Sequence, residues 1–388
     1  MDKRNSQNNE TKSQNRRDFL KKGSIATLAA ASGAILLDSC GNPVEKAKTV
    51  NIQPTSSKKY QWKMSTTWPP KFPVLGEGLE LMAKWIKDAS AGRMEIKVYG
   101  AGELNPALEC FDAVREGAVQ MASGVSYYWS GKVPAAQFFA AIPFGMNAQQ
   151  TNAWIINGGG LKLWEDLYAE YGLVPFPGGN TGVQMGGWFR KEVNGLEDLK
   201  GLKMRMPGLG GKVLDKVGAK VVLKPSTELY ISLERGIIDA LEWIGPYHDY
   251  NMGFYNVAKY YYYPGWHEPG PMLELIANQK AFNELPLDLR EIIRTAAMRL
   301  SLWTLGEFEA KNNTYLKKLV KEEGVKLRKY PAEVMKVLKK HSKEVAEELA
   351  NKNAQTKKIY ASYDRFRKDI SAWSEVTEQA YYSDIQGS

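Results

Sequence analysis

Cysteine and histidine are scarce in this chain. Its 388 residues include two cysteines, Cys40 and Cys110, and three histidines, His248, His267 and His341. That inventory excludes a disulfide framework and a thiolate cluster for a soft metal. His267 precedes Glu268 directly, but the HExxH spacing of a zinc hydrolase is absent. No nucleophile elbow and no phosphate-binding loop is present. Long apolar runs are missing too. The best, from Gly23 to Leu37, is short of the ~20 residues a membrane-spanning helix needs. Nor is there a basic stripe for nucleic acid. The net charge is +9, and clusters such as "VLKKHSKE" have acids beside them at helical spacing, which reads as a solvated helix face.

What is present begins at the N-terminus. "NRRDFLKKGSIATLAAASGAILLDSC" pairs Arg16 with Arg17 ahead of a modest Ala- and Gly-rich run. It resembles a twin-arginine export signal, with Asn15 where a serine is usual. "LLDSC" then resembles a lipobox, which makes Cys40 the candidate lipidation site, although Asp38 departs from that pattern. Residues 1–40 are read as this signal. Residues 41–58 are polar, without apolar periodicity, and read as a tether. Cys110 lies in "ALECFDAVREG", where it packs as a small hydrophobe.

From Tyr60 onward, strand-like and helix-like segments alternate: "YQWKMSTTW", "VLGEGLELMAKWIKDASAGR", "MEIKVY", "NPALECFDAVREGAVQ", "MASGVSYYW". This rhythm predicts an α/β fold with a largely parallel sheet. The middle of the chain repeats it. "STELYISLERG" is a helix stopped by Gly236, and "IIDALEW" a short buried strand. That strand carries Glu242 beside Trp243, and burying a carboxylate costs several kcal/mol unless it is paired or binds a cation. Asp239, in the same strand, reads as structural. A long helical pattern follows from Leu285, then the strand "VKLRKY", and residues 331–388 are helical and aromatic. Eleven Trp and twenty Tyr fit either a large core or an organic-ligand site.

Two stretches carry a family resemblance: "GLKMRMPGLGGKVLDKVGA" and "LERGIIDALEWIGPY". They resemble the solute-binding proteins of tripartite ATP-independent periplasmic (TRAP) transporters. "TGVQMGGWFRKE", "PAAQFFAAIPFGM", "FYNVAKYYYYPGWHEPG" and "GGGLKLW" resemble the branch that binds 2-oxo and 2-hydroxy monocarboxylates with a metal ion. The resemblance implies a two-lobed periplasmic-binding-protein-like fold over residues 59–330. One lobe would hold 59–182 plus 268–330 and the other 183–267, with the ligand in the cleft between them and a long connecting helix. It implies delivery to a membrane permease, and a homodimer joined through the helical residues 331–388.

The residues agree chemically. Arg205 ends a strand, and its planar fork matches a carboxylate. The resemblance makes it the carboxylate anchor. It also makes Gln184, Glu242, the Trp243 carbonyl and Glu268 ligands of Na⁺ or Ca²⁺, an oxygen-only shell suited to a hard cation. Gln184, Glu268 and one of the adjacent Tyr127 and Tyr128 would touch the solute, since neighbours in an extended segment face opposite ways. Trp68 and Trp188 are walls or core. Two rival classes compete. A carboxylate-pair hydrolase would use Glu242 with Glu268 or Asp239, but nothing activates a nucleophile, so the chain is not expected to be an enzyme. A sensor would need an output module, and the sequence carries none.

Overall fold

The computed structural model describes residues 58–386; the twin-arginine segment, Cys40 and residues 41–57 of the tether lie outside the described residues. Eleven strands are described: β1 Tyr60–Thr66, β2 Met94–Tyr99, β3 Met121–Gly124, β4 Leu173–Asn180, β5 Gly187–Phe189, β6 Lys203–Arg205, β7 Lys220–Val222, β8 Ala240–Leu241, β9 Tyr260–Tyr263, β10 Met272–Asn278 and β11 Lys326–Lys329. They form two sheets, ordered β2-β1-β3-β10-β4 and β11-β9-β5-β8-β6-β7. The helix after β1 shows how pattern becomes packing. In Leu75–Ala89, Leu75, Leu79, Met82 and Ile86 recur at helical spacing, and all are buried.

The sheets are mostly parallel, with one reversed strand in each. β10 runs antiparallel to β3 and β4, and β5 runs antiparallel to β8 and β9. These are the two strands the chain enters through a short crossing from the other sheet; β11, reached through helix Leu287–Lys321, joins parallel to β9. β4 leads through residues 181–186 into β5, and β9 leads through 264–271 into β10. A strand leaving one sheet at its carboxyl end, where open α/β sheets hold ligands, enters the facing sheet at the corresponding end. It must therefore run against its new neighbours.

Two expectations shift. The strand expected over 237–243 is only Ala240–Leu241, although the Glu242 N–H still donates to the Arg205 carbonyl at 3.1 Å and extends the ladder. β11 had been grouped with the first lobe, but it pairs with β9 in the second sheet. The C-terminal helices Ala332–Ala350 and Ala354–Val376 fold back onto their own chain. Ile359 and Tyr363 are buried there, and the Tyr363 hydroxyl accepts a hydrogen bond from the Met146 N–H at 3.1 Å. Helix Leu287–Lys321 ties the halves together, packing on β4, on Leu75–Ala89 and on the short helix Pro246–Asn251.

Much of the aromatic excess is core. Trp154, Trp164 and Phe139 are fully buried, with the Phe139 ring stacked 5.6 and 5.3 Å from the two indoles. Trp188, read from the sequence as wall or core, is core. It stacks on Tyr261 at 4.1 Å, and its indole N–H donates to Asp249 at 2.9 Å. Asp239 is structural, exchanging backbone and side-chain hydrogen bonds with the Lys203 backbone at 2.7 and 3.1 Å. Cys110 is a buried free thiol.

Candidate functional site

The carboxyl ends of β6 and β8 are adjacent rungs of the second sheet, which brings Arg205 and Glu242 together. Each is only 1% exposed. Arg205 Nη1 forms an ion pair with Glu242 Oε1 and donates to the Glu242 carbonyl at 2.9 Å. The rest of the guanidinium is weakly engaged. Nη2 lies 3.5 Å from the Tyr128 hydroxyl and Nε 3.4 Å from the Lys224 carbonyl, both at the long limit of a hydrogen bond. Burial opposes the Arg205 charge, but Glu242 with Tyr128, Tyr127 and Glu268 outweighs it and holds the guanidinium's pKa above its usual value. The Trp243 indole lies under the guanidinium, 5.3 Å from ring centre to carbon, within cation–π range.

The crossing segments supply the next residues. The Gln184 N–H donates to the Glu268 carbonyl at 3.2 Å, and Gln184 Nε2 donates to Glu268 Oε2 at 2.8 Å and to Thr181 Oγ1 at 3.2 Å. This pairing requires glycine at 265, because a Cβ there would sit 2.1 Å from the Gln184 carbonyl oxygen. With its amide nitrogen fixed, Gln184 presents Oε1 as a buried acceptor without a partner. Glu268 is 3% exposed. Burial first, and then the Glu242 charge, push its carboxyl well above the usual carboxylate range. Tyr127 and Gln184 beside it act in the opposite direction.

His267 is the residue that sequence reasoning missed. It was set aside because HExxH spacing is absent. Yet it is 1% exposed, and its Nε2 lies 3.0 Å from Glu242 Oε2. One ligating atom each from Glu242, His267 and Glu268 fall within 4.8 Å of one another. The available signal was adjacency to Glu268 in a Gly- and Pro-bracketed turn.

The first lobe closes the site. Tyr127 and Tyr128 were expected to face opposite ways on an extended segment, and here the structure differs. Residues Ser126–Trp129 form a 3₁₀ turn, so both rings reach the cleft. Tyr127 meets Glu268 and packs on Gly208, whose φ of 61° favours glycine and where a Cβ would lie 3.1 Å from the ring. Tyr128 meets Arg205 and is pushed up to about 12, mainly by burial. Trp68 is a wall. It lies edge-on to Trp243 at 6.1 Å and to Tyr128 at 6.3 Å. The Trp243 indole N–H is buried without a partner.

The donor set fits a hard cation. Two buried acids and an orphaned amide oxygen supply hard oxygen donors, the kind such a cation takes. The same guanidinium keeps its Nη2/Nε edge open for a planar anion. Residues 64–353 match the model for bacterial extracellular solute-binding protein, family 7. The chain belongs to this family, the TRAP solute-binding proteins. It is 42% identical over 366 residues to a monocarboxylate 2-oxoacid-binding periplasmic protein of Nostoc sp., covering 94% of this chain and 97% of that one. Its fold is similar to that of a TRAP periplasmic solute-binding protein from Pseudoalteromonas atlantica with bound sodium and pyruvate. That comparison has a TM-score of 0.82 at 44% identity and covers 84% of this chain and all of the other. A structure from Colwellia psychrerythraea with bound calcium and pyruvate gives the same four values. The TRAP solute-binding family is a transport receptor family and not an enzyme family, and its members are extracytoplasmic. No helix among the described residues of this TRAP protein is long and apolar enough to cross a membrane.

Proposed function

We propose that this protein captures a small 2-oxo monocarboxylate such as pyruvate together with Na⁺ or Ca²⁺, and hands it to a TRAP membrane permease. The observation that carries this reading is the pairing of two unmet needs in one buried cleft. Gln184 Oε1, beside Glu268, has no donor, and Arg205 Nη2 and Nε have only long contacts. In this reading Gln184, Glu242, Glu268 and the Trp243 carbonyl hold the cation. Arg205 takes the ligand carboxylate, with Tyr127, Tyr128, Gln184 and Glu268 around it and Trp68 and Trp243 as walls. The ligand leaves the cleft chemically unchanged. The twin-arginine segment exports the chain, and acylated Cys40 with residues 41–58 tethers it outside the cytoplasm. The end of the C-terminal helical region meets a second copy, because Trp373, Val376, Tyr382 and Ile385 are 59 to 70% exposed there.

The test is calorimetric titration of the purified chain with pyruvate. Binding is expected in buffer containing NaCl and CaCl₂, with at least a tenfold loss in sodium-free buffer with chelator, and full recovery of pyruvate afterwards. Equal affinity in both buffers would mean that the oxygen cluster is structural and does not bind a cation.

A further inference from the structure

A cavity of about 190 Å³ lies between residues 142–145 and the two C-terminal helices. Ile142, Phe144 and Tyr360 form its apolar floor, and Lys339, Lys343 and Arg367 are its charged members. No carboxylate lines it. Competing acids stand outside it. Asp364 pairs with Arg367 at 2.8 Å, and Glu347 lies 3.7 Å from Lys343, where both side chains are solvated. At about 190 Å³ the space is below the roughly 300–1,000 Å³ of drug-sized sites.

The floor is continuous with the cleft. Phe144 holds φ at 56°, a left-handed conformation that bulky residues rarely adopt and that marks stored strain. Two contacts pin it. Its N–H donates to the Trp266 carbonyl at 2.7 Å, and its ring stacks on the Trp266 indole at 5.7 Å. The next residue, His267, touches Glu242. On the other side, Ser342 of the first C-terminal helix donates to the Pro143 carbonyl at 2.7 Å. A molecule seated on Phe144 therefore presses on a strained residue one packing contact from the candidate site.

We propose that this cavity is a second binding site, separate from the cleft, for a small amphipathic monocarboxylate. A short apolar tail lies on Phe144 and Tyr360, and the carboxylate sits among Lys339, Lys343 and Arg367. Occupancy is coupled to the cleft through Phe144 and Trp266, and this coupling rests on the pyruvate reading above.

The experiment titrates the full chain with hexanoate, with inorganic phosphate as a probe of equal sign and no tail. Hexanoate is expected to bind one site and phosphate at least tenfold more weakly. The exposed-residue variant Lys339→Glu/Lys343→Glu should keep its melting temperature and its pyruvate affinity but lose at least tenfold in hexanoate affinity. Saturating hexanoate should shift the pyruvate Kd of the parent chain at least threefold, and Phe144→Gly should abolish that shift. No hexanoate binding at millimolar concentration, affinity unchanged in the charge variant, or loss of hexanoate binding on Arg205→Met would each overturn the site. An unshifted pyruvate Kd would overturn the coupling. If pyruvate itself fails to bind, the proposed function falls, and the hexanoate titration still decides the cavity.

Discussion

Removing the Arg205 guanidinium should separate a stability role from a ligand role. In Arg205→Met the apolar stem still fills the space beside Trp243, but Glu242 keeps a charge at 1% exposure with its Arg205 partner gone. Breaking a buried ion pair from one side costs about 3–5 kcal/mol, because the remaining charge cannot regain water. At roughly 2 °C per kcal/mol for a large domain, the melting temperature in chelator should fall by about 6–10 °C. Glu242→Gln in the same chain removes the stranded charge, so the double variant should regain most of that loss. Ligand binding should not follow stability. Loss of the carboxylate anchor costs at least ~2 kcal/mol, about 30-fold in affinity, in both the single and the double variant. Thermal melts in chelator and pyruvate calorimetry give the two readings. An Arg205→Met chain that melts within ~2 °C of the parent and binds pyruvate within threefold would refute the reasoning.

Further outcomes are expected elsewhere. Gly265→Ala should weaken calcium binding at least tenfold by moving the Gln184 backbone off Glu268, as a calcium titration would detect; affinity within twofold of the parent would contradict this. Glu274 is fully buried against Trp129 and Tyr168, and burial pushes its carboxyl up to about 8 from 4.5. Since the folded state holds that proton more tightly, stability is fully present below pH 4.5 and falls by up to roughly 5 kcal/mol as pH rises to about 8. Glu274→Gln should flatten the slope in denaturant titrations. Asp249 accepts from the Ile244 and Gly245 N–H groups at 3.3 and 3.2 Å, from Trp188 at 2.9 Å and from Tyr261 at 2.6 Å. Asp249→Asn turns an amide donor on some of those donors and should cost about 3 kcal/mol by chemical denaturation. Trp373→Ser with Val376→Ser should convert a dimer into a monomer by light scattering without changing the melt of the chain.

The sequence shows the parts of the site that depend on local pattern and hides those that depend on how the lobes meet. Arg205 stood out at a strand end and Glu242 as an acid in an apolar strand, but each was given to a different ligand, and their ion pair with one another shows only in the fold. Gln184 stood out between glycines. Glu268 and the fold came with the family motifs. The Tyr127–Tyr128 reading failed because four residues after a strand tightened into a 3₁₀ turn, and periodicity over so short a stretch cannot separate that from extended chain. His267 was hidden for another reason. It becomes part of the site only when the 264–271 crossing lies beside β8, and no spacing in the sequence records that approach. The reversed strands β5 and β10 are the same kind of fact. Their residues are ordinary strand formers, and only the crossing sets their direction.

The charges in the cleft explain why cation and solute should enter together. One guanidinium faces two carboxylates. Glu242 is matched by Arg205, while burial and the Glu242 charge push the Glu268 carboxyl above its usual range. A solute carboxylate arriving alone brings a third acid to that place. Two like charges about 4 Å apart repel by roughly 4 kcal/mol even at an effective dielectric of 20, enough to cancel much of what Arg205 offers. A cation beside Gln184 Oε1 reverses that term, since it attracts Glu242, lets Glu268 ionise, and attracts the incoming carboxylate as well. Each ion then lowers the cost of the other, and linkage makes the two affinities rise by the same factor. On the proposed reading, the unpartnered Gln184 oxygen and the long-contact edge of Arg205 serve one binding event.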